Sequence, residues 1–265
     1  MLVDSHCHLS DARFDDDRPE VLLRAGRVGV EKILVIASDR ADTMRVESLL
    51  DETHDETQEG AGAPKLWGTA GVHPHEAEAA VQGDLEAIRE LASRHPRIVA
   101  VGETGLDFFY DHSPRSLQEA LFRDHLAMAE ELELPIVVHS RSADDLTVQI
   151  LKEWGGRVRG VLHCFTGGEA LLGAALSVGW MVSFTGIITF KKYDAQSLVR
   201  SVPRELLMVE TDAPYLAPVP YRGRRNEPSY VARVAESLAA IRGEDLEEVE
   251  GYTSENAIRF FDLTP

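Results

Sequence analysis

Cysteine is scarce in this sequence, with Cys7 and Cys164 its only two. Neither lies in a CxxC spacing, so neither a disulfide framework nor a cysteine zinc site organises the chain, and both thiols are expected to be reduced. Long apolar runs are missing as well. No stretch approaches the length that crosses a bilayer, and the opening residues MLVDSHCHLS lack a basic segment followed by an apolar one and a small-residue cleavage site. A cytoplasmic protein with no membrane partner is the expectation. Positive charge is the third deficit: 27 Lys and Arg stand against 45 Asp and Glu, a formal net charge of −18. Proteins that adhere broadly to nucleic acid use a basic surface to displace counterions, and this composition excludes that mode. It leaves room for a confined phosphate site, since two divalent ions bring about four positive charges to one point.

What the chain does have is apolar material for one large core. Its 265 residues, 44% of them hydrophobic, come close to the roughly 250 of one (β/α)8 barrel, so a single domain over 1–265 accounts for the length. Short β-branched runs recur at 2–4, 32–37, 66–72, 97–102, 135–139, 160–163, 180–184 and 206–209, the pattern of buried strands. Between them, segments such as 116–132 and 143–154 place apolar residues three and four apart, as helices covering a parallel sheet do. The alternation predicts the α/β class and a single (β/α)8, or TIM, barrel. An acidic, Gly- and Ala-containing stretch, 51–64 (DETHDETQEGAGAP), falls before the third strand and reads as a mobile connection.

In such a barrel the active site is built at the C-terminal ends of the strands. The first strand runs into Asp4-Ser5-His6-Cys7-His8. Strand side chains alternate, so His6 and His8 point to one side and can share an ion. An HxH pair alone fits two hydrogen-bonded interior histidines equally well. The corresponding ends of other strands carry Gly71-Val72-His73-Pro74-His75, Gly102-Glu103-Thr104-Gly105-Leu106-Asp107, His139-Ser140-Arg141, His163-Cys164-Phe165 and Glu210-Thr211-Asp212. Singly, each has a structural explanation: Glu103 paired with Arg141, Asp212 capping the turn before Pro214, His139 or His163 as a satisfied core group. Jointly they bury several polar groups at one mouth, and a cation is the simplest way to satisfy them.

The segments DSHCHL, GVHPH, GETGLDFFYD, VVHSR, HCFTG, ETDAPYL and YRGRRNEPSYV follow one another from the first strand to the penultimate helix. In that order they resemble the TatD family of metal-dependent deoxyribonucleases, within the amidohydrolase-like barrel superfamily. The resemblance implies that His6 and His8 bind one ion with Asp212, that His139 and His163 bind a second, and that Glu103 bridges the two. Amidohydrolase relatives often bridge their metals with a carboxylated lysine at strand four, but residues 98–103 contain no lysine and end in Glu103, which favours the TatD branch. Zinc suits the histidines, whereas Mg²⁺ or Mn²⁺ suits the carboxylates and phosphodiester chemistry, and the sequence leaves that choice open. Two ions roughly 3.5–4 Å apart activate a water for in-line attack on phosphorus. Asp212 orients that water or takes its proton, which makes Asp212 and Glu103 the catalytic pair.

Substrate contacts are expected from His73, at the end of the third strand, and from Arg222 and Arg225 in the basic loop after the eighth. Arginine presents a forked donor set matched to phosphate; ion pairing to Glu227 is the alternative. Tyr215 or Tyr221 can stack on a base. Phe108, Phe109 and Tyr110 form an aromatic wall for a nucleobase or pack into the core, the commoner use of such residues. Glu210 is as readily a packing residue as a helper of the site, and His54, His95, His112 and His125 read as surface or helix residues. The whole points to a monomeric phosphodiesterase that trims DNA single strands or ends. An amide, ester or phosphotriester hydrolase on the same metal pair, and a metal-stabilised scaffold without catalysis, are the alternatives.

Overall fold

Eight segments of aliphatic and β-branched residues pair in sequence order in a computed structural model of the chain, which describes residues 1–53 and 62–264. The strands are β1 (Leu2–Cys7), β2 (Val30–Val35), β3 (Lys65–Ala70), β4 (Ile98–Asp107), β5 (Ile136–Arg141), β6 (Gly160–Leu162), β7 (Met181–Phe184) and β8 (Leu207–Val209). Between or after them run α1 (Arg18–Arg27), α2 (Arg40–Glu52), α3 (Gln82–Arg94), α4 (Arg115–Leu132), α5 (Asp144–Trp154), α6 (Glu169–Ser177), α7 (Gln196–Ser201), α8 (Val231–Arg242) and α9 (Leu246–Phe261). The fold is the expected parallel (β/α)8 barrel. Of the acidic stretch 51–64, Asp51 and Glu52 end α2, and 54–61 lie outside the described residues. Among the described residues no helix is long and apolar enough to cross a membrane.

The periodicities behind the elements differ. Every residue of β1 and β4 is buried, as in strands covered on both faces, but only their opening residues, Leu2–Val3 and Ile98–Val101, form a continuous apolar run. Helix α4 buries Gln118, Leu121, Phe122, His125, Leu126 and Ala129, a stripe at three- and four-residue spacing. Burial of a side chain such as Phe122 or Leu126, both at 0% exposure, contributes about 1.5–3 kcal/mol. The helix stops at Glu133, whose left-handed φ of 56° ends the hydrogen-bond ladder.

Contacts are densest within two groups of residues. The first comprises Met1–Val35, Ser48–Trp67 and Ser183–Pro265. Here β1 lies beside β2, with Val3 opposite Lys32 and Asp4 opposite Ile33. On its other side a seam of hydrogen bonds ties β1 to β8 and the residues that follow it. The Asp212 N–H donates to the His6 carbonyl at 2.9 Å and the His8 N–H to the Ala213 carbonyl at 2.8 Å. The buried Asp4 carboxylate accepts from the Thr211 backbone at 2.8 Å and its hydroxyl at 2.6 Å. Burial outweighs these bonds and pushes the Asp4 carboxyl up to about 8.

The second group comprises Ile36–Glu47 and Gly68–Val182. Its sheet runs from the end of β3 through β4, β5 and β6 to β7, in register at Val101 and Ile136, Gly105 and His139, and Val138 and Leu162. Helix α4 is pinned against it by His125, which is helical as expected and fully buried. The His125 Nδ1–H donates to the Leu121 carbonyl at 2.8 Å, and Nε2 accepts from the Val72 N–H at 3.1 Å. This neutral tautomer uses both ring nitrogens. Burial depresses the imidazole pKa from 6.5 to about 4. A depressed histidine stabilises the fold fully above its unfolded pKa, and that contribution fades as pH falls from about 6.5 to about 4, where the unfolded chain takes up the proton first. The His125 share of stability in urea, read as the difference from His125→Leu, should fall by on the order of 2–3 kcal/mol across that range. His125→Leu should flatten that part of the profile while lowering stability at neutral pH by about 1–3 kcal/mol, because the Val72 donor loses its acceptor.

Candidate metal centre

Strand alternation and the β1–β8 seam bring together a first set of donors. His6 is fully buried and His8 nearly so, and their Nε2 atoms face each other at 3.3 Å. Asp212, in the left-handed region at φ 56°, turns its Oδ1 to within 3.6 Å of His6 Nε2 and 3.5 Å of His8 Nε2. An ion bound at about 2.1 Å holds tetrahedrally disposed donors about 3.4 Å apart. The mutual spacings of this triad therefore fit one divalent ion, and its donor chemistry of two imidazoles and a carboxylate suits zinc or a harder cation alike.

The second set gathers at the ends of β3, β4, β5 and β6. Glu103 is 2% exposed, and its Oε1 lies 2.7 Å from His163 Nε2, 3.2 Å from His139 Nδ1 and 3.5 Å from His73 Nε2. The two nitrogens of His139 and His163 are themselves 3.2 Å apart. Glu103, His139 and His163 thus have the spacing and chemistry of a second ion site. The approach of the strands depends on Gly105 (φ 129°), where a Cβ would stand 2.0 Å from the His139 carbonyl oxygen.

Hydrogen bonds assign the nitrogens. His139 Nε2–H donates to Asp107 Oδ2 at 3.2 Å, which leaves Nδ1 with its lone pair directed at Glu103 and His163. His73 differs: its Nδ1 accepts from the His75 N–H at 3.1 Å, so the neutral ring carries its proton on Nε2. Burial keeps it neutral, depressing its pKa to about 4 despite the Glu103 carboxylate. His73 is therefore a hydrogen-bond donor toward the cluster rather than a ready ligand. Burial alone would also depress His139, but the Asp107 and Glu103 carboxylates outweigh it and raise its pKa.

The comparisons with known proteins bear on this geometry. A family model described as TatD related DNase matches residues 3–262. The chain belongs to the TatD family. It is 40% identical over 263 residues to the uncharacterized metal-dependent hydrolase YabD of Bacillus subtilis (strain 168), covering 98% of this chain and 99% of that one. The 3'-5' ssDNA/RNA exonuclease TatD of Rahnella sp. (strain Y9602) is 36% identical over 265 residues, covering 97% of each. The crystal structure of YJJV, a TatD homolog from Escherichia coli K12, superposes with a TM-score of 0.89 at 29% identity, over 99% of this chain and 98% of that one. This TatD-family protein is a metal-dependent hydrolase.

Other TatD-motif residues occupy positions the sequence left open or unnamed. Asp107 carries no expectation from sequence, yet its Oδ2 accepts from His139 and, at 2.9 Å, from His75, while Oδ1 accepts the Phe109 and Tyr110 N–H groups. Burial would raise its carboxyl, but these donors hold it well below the usual carboxylate range. Its period-two register with Glu103 on β4 was the available signal. Glu210 is buried and accepts a short hydrogen bond from the Ser183 hydroxyl, a tie from β8 to β7. Arg141 lies over the Phe109 and Tyr110 rings.

Arg225, expected at a substrate phosphate, is engaged within the protein. Its guanidinium makes two bonds to the Asp17 carboxylate at 2.8 and 2.7 Å, a third to the Arg13 carbonyl at 2.5 Å, and lies over Phe14. Glu227, the expected alternative partner, instead accepts from Arg24 at 2.8 Å. Arg222 rests on the Phe190 ring at 3.6 Å from its centroid. If Arg225 is spent on anchoring its loop, Arg225→Ala should lower stability in urea by about 1 kcal/mol, the scale of a partly exposed bidentate pair. Unchanged stability together with a weaker salt dependence of substrate binding would assign it to phosphate instead.

Proposed function

We propose that this chain is a two-metal phosphodiesterase that trims DNA at single strands or ends. His6, His8 and Asp212 would hold one ion, and His139, His163 and Glu103 the other. The observation that carries the reading is the Glu103 carboxylate, removed from water and facing three imidazoles within 3.5 Å, an arrangement that gains its balance of charge when cations are bound. Support for a nucleic-acid substrate comes from the Rahnella relative named a 3'-5' ssDNA/RNA exonuclease.

Ions bound at such a pair supply a nucleophilic water at neutral pH and positive charge for the oxygens of an in-line displacement. The chain's own residues do the rest. Asp212, 14% exposed against 2% for Glu103, is the carboxylate open to solvent and is placed to orient the attacking water and take its proton. His73, with its proton on Nε2, offers a neutral donor to a phosphate oxygen. Asp107 keeps the Nδ1 lone pair of His139 directed inward, as carboxylates behind metal-bound histidines do.

The test is nucleotide release from 3′- and 5′-labelled single-stranded DNA and RNA by protein stripped of metal, with Mg²⁺, Mn²⁺ or Zn²⁺ restored separately. Cleavage should require an ion, and Glu103→Ala and Asp212→Ala should each lower kcat/KM roughly a thousandfold or more. Stripped protein should remain folded by circular dichroism, whereas a metal-held scaffold would unfold. Folded, metal-loaded protein that cleaves no nucleic acid with any ion would overturn the phosphodiesterase reading and leave amide or ester hydrolysis at the same centre.

A further inference from the structure

We propose that Phe109, Tyr110 and Arg141 form a shelf on which an unpaired nucleobase of single-stranded nucleic acid stacks, with Arg141 also meeting an adjoining phosphate. The inference rests on the nuclease reading and names the part of the chain that grips the strand.

Large aromatic side chains normally bury their faces. Here Phe109 is 59% exposed and Tyr110 51% exposed, although Phe109 follows ten consecutive buried strand residues by only two positions. The rings meet edge to face at 5.0 Å, and the Arg141 guanidinium stands 4.4 and 4.8 Å from their centroids. Tyr110 is backed by His112, stacked on it at 5.6 Å with an interplanar angle of 6°. The rings are therefore held in place without being covered.

Phe109 lines a cleft of about 680 Å³ with Phe108, Arg141, Ser142 and Thr166, wide enough for a nucleoside. Arg141 forms no ion pair among the described residues, unlike Arg225, Arg13 and Arg115, which are paired with Asp17, Asp11 and Asp111. In a chain of net charge −18, a cation left unneutralised between exposed rings matches a ligand with a π-face and a negative charge side by side, which is what a nucleotide within a strand presents. Asp144 and Asp145 also line the cleft, which leaves Arg141 as the place for the phosphate.

The shelf is also tied to the chemistry. The same Asp107 carboxylate that holds His139 through Oδ2 takes the N–H groups of Phe109 and Tyr110 on Oδ1. One side chain thereby fixes the distance between the stacking surface and the Glu103 donors.

The experiment compares the affinity of two short fluorescein-labelled single strands for the metal-loaded protein. Both carry phosphorothioate links against cleavage; one has its bases and the other is abasic with the same backbone charge. The double variant Phe109→Ala/Tyr110→Ala should bind the base-containing strand roughly tenfold more weakly, within the range for lost aromatic stacking, and the abasic strand unchanged. Arg141→Gln should weaken both and reduce the salt slope by about one. As a second readout, Phe109→Trp should show indole emission quenched by the base-containing strand and not by the abasic one. Unaltered affinity in the double variant, an equal loss on both strands, or no quenching would overturn the shelf while cleavage by the unmodified protein persists. Absence of both binding and cleavage in the unmodified protein would instead bring down the nuclease reading on which the shelf depends.

Discussion

Holding the Glu103 carboxylate out of water is the constraint on which the rest of this molecule turns. An acid at 2% exposure loses several kcal/mol of hydration unless charge or hydrogen bonds replace it. The His73 N–H supplies part of the replacement and bound cations would supply the rest, and the burial of the facing imidazoles must in turn be compensated. His139 is answered by Asp107 and His73 by a backbone N–H. Asp107 is answered by two further N–H groups and by His75. The chain of compensation runs outward until it reaches groups that water can serve. Gly105 belongs to the same chain, because a side chain there would drive β5 and its histidine away from the acid.

The −18 net charge and a phosphate-handling site are not in conflict once scale is considered. Surface charge averages over the whole molecule, whereas a phosphate responds to what lies within a few ångströms. Many basic side chains on this surface are neutralised locally, as Arg225 is by Asp17 and Arg24 by Glu227. On the nuclease reading, what would matter for an incoming strand is the small number of cations that are not.

The barrel was legible because its signal is local: strand runs and helical stripes are set by immediate neighbours and shifted by only a few residues at their ends. The His6 and His8 pairing was legible for the same reason, since period two puts them on one side. Contacts across the fold were harder to read. Arg225 looked like a phosphate ligand because Asp17 lies 208 positions away in sequence, and nothing near Arg225 announces it. His125 looked peripheral because its acceptor role serves a backbone group at Val72, which no composition reveals. Phe109 and Tyr110 fit a core assignment by residue type, and only their exposure separates the two uses. Asp107 lay in plain view at the end of β4 but was indistinguishable from a turn acid until its two oxygens were seen to serve different partners.

The seam between β1 and β8 also has a temporal side. Asp4 and the Thr211 groups it accepts from are 207 residues apart, and His6 and His8 meet Asp212 only where that seam is closed. A ribosome delivers the histidines first and the aspartate long afterwards. For most of its synthesis the nascent chain holds two exposed imidazoles without the carboxylate that completes their triad. Assembly of this donor set therefore waits on the most non-local contact of the sheet, a type of contact that loop-closure entropy makes late. The growing chain thus carries an incomplete donor set until the residues after its last strand arrive.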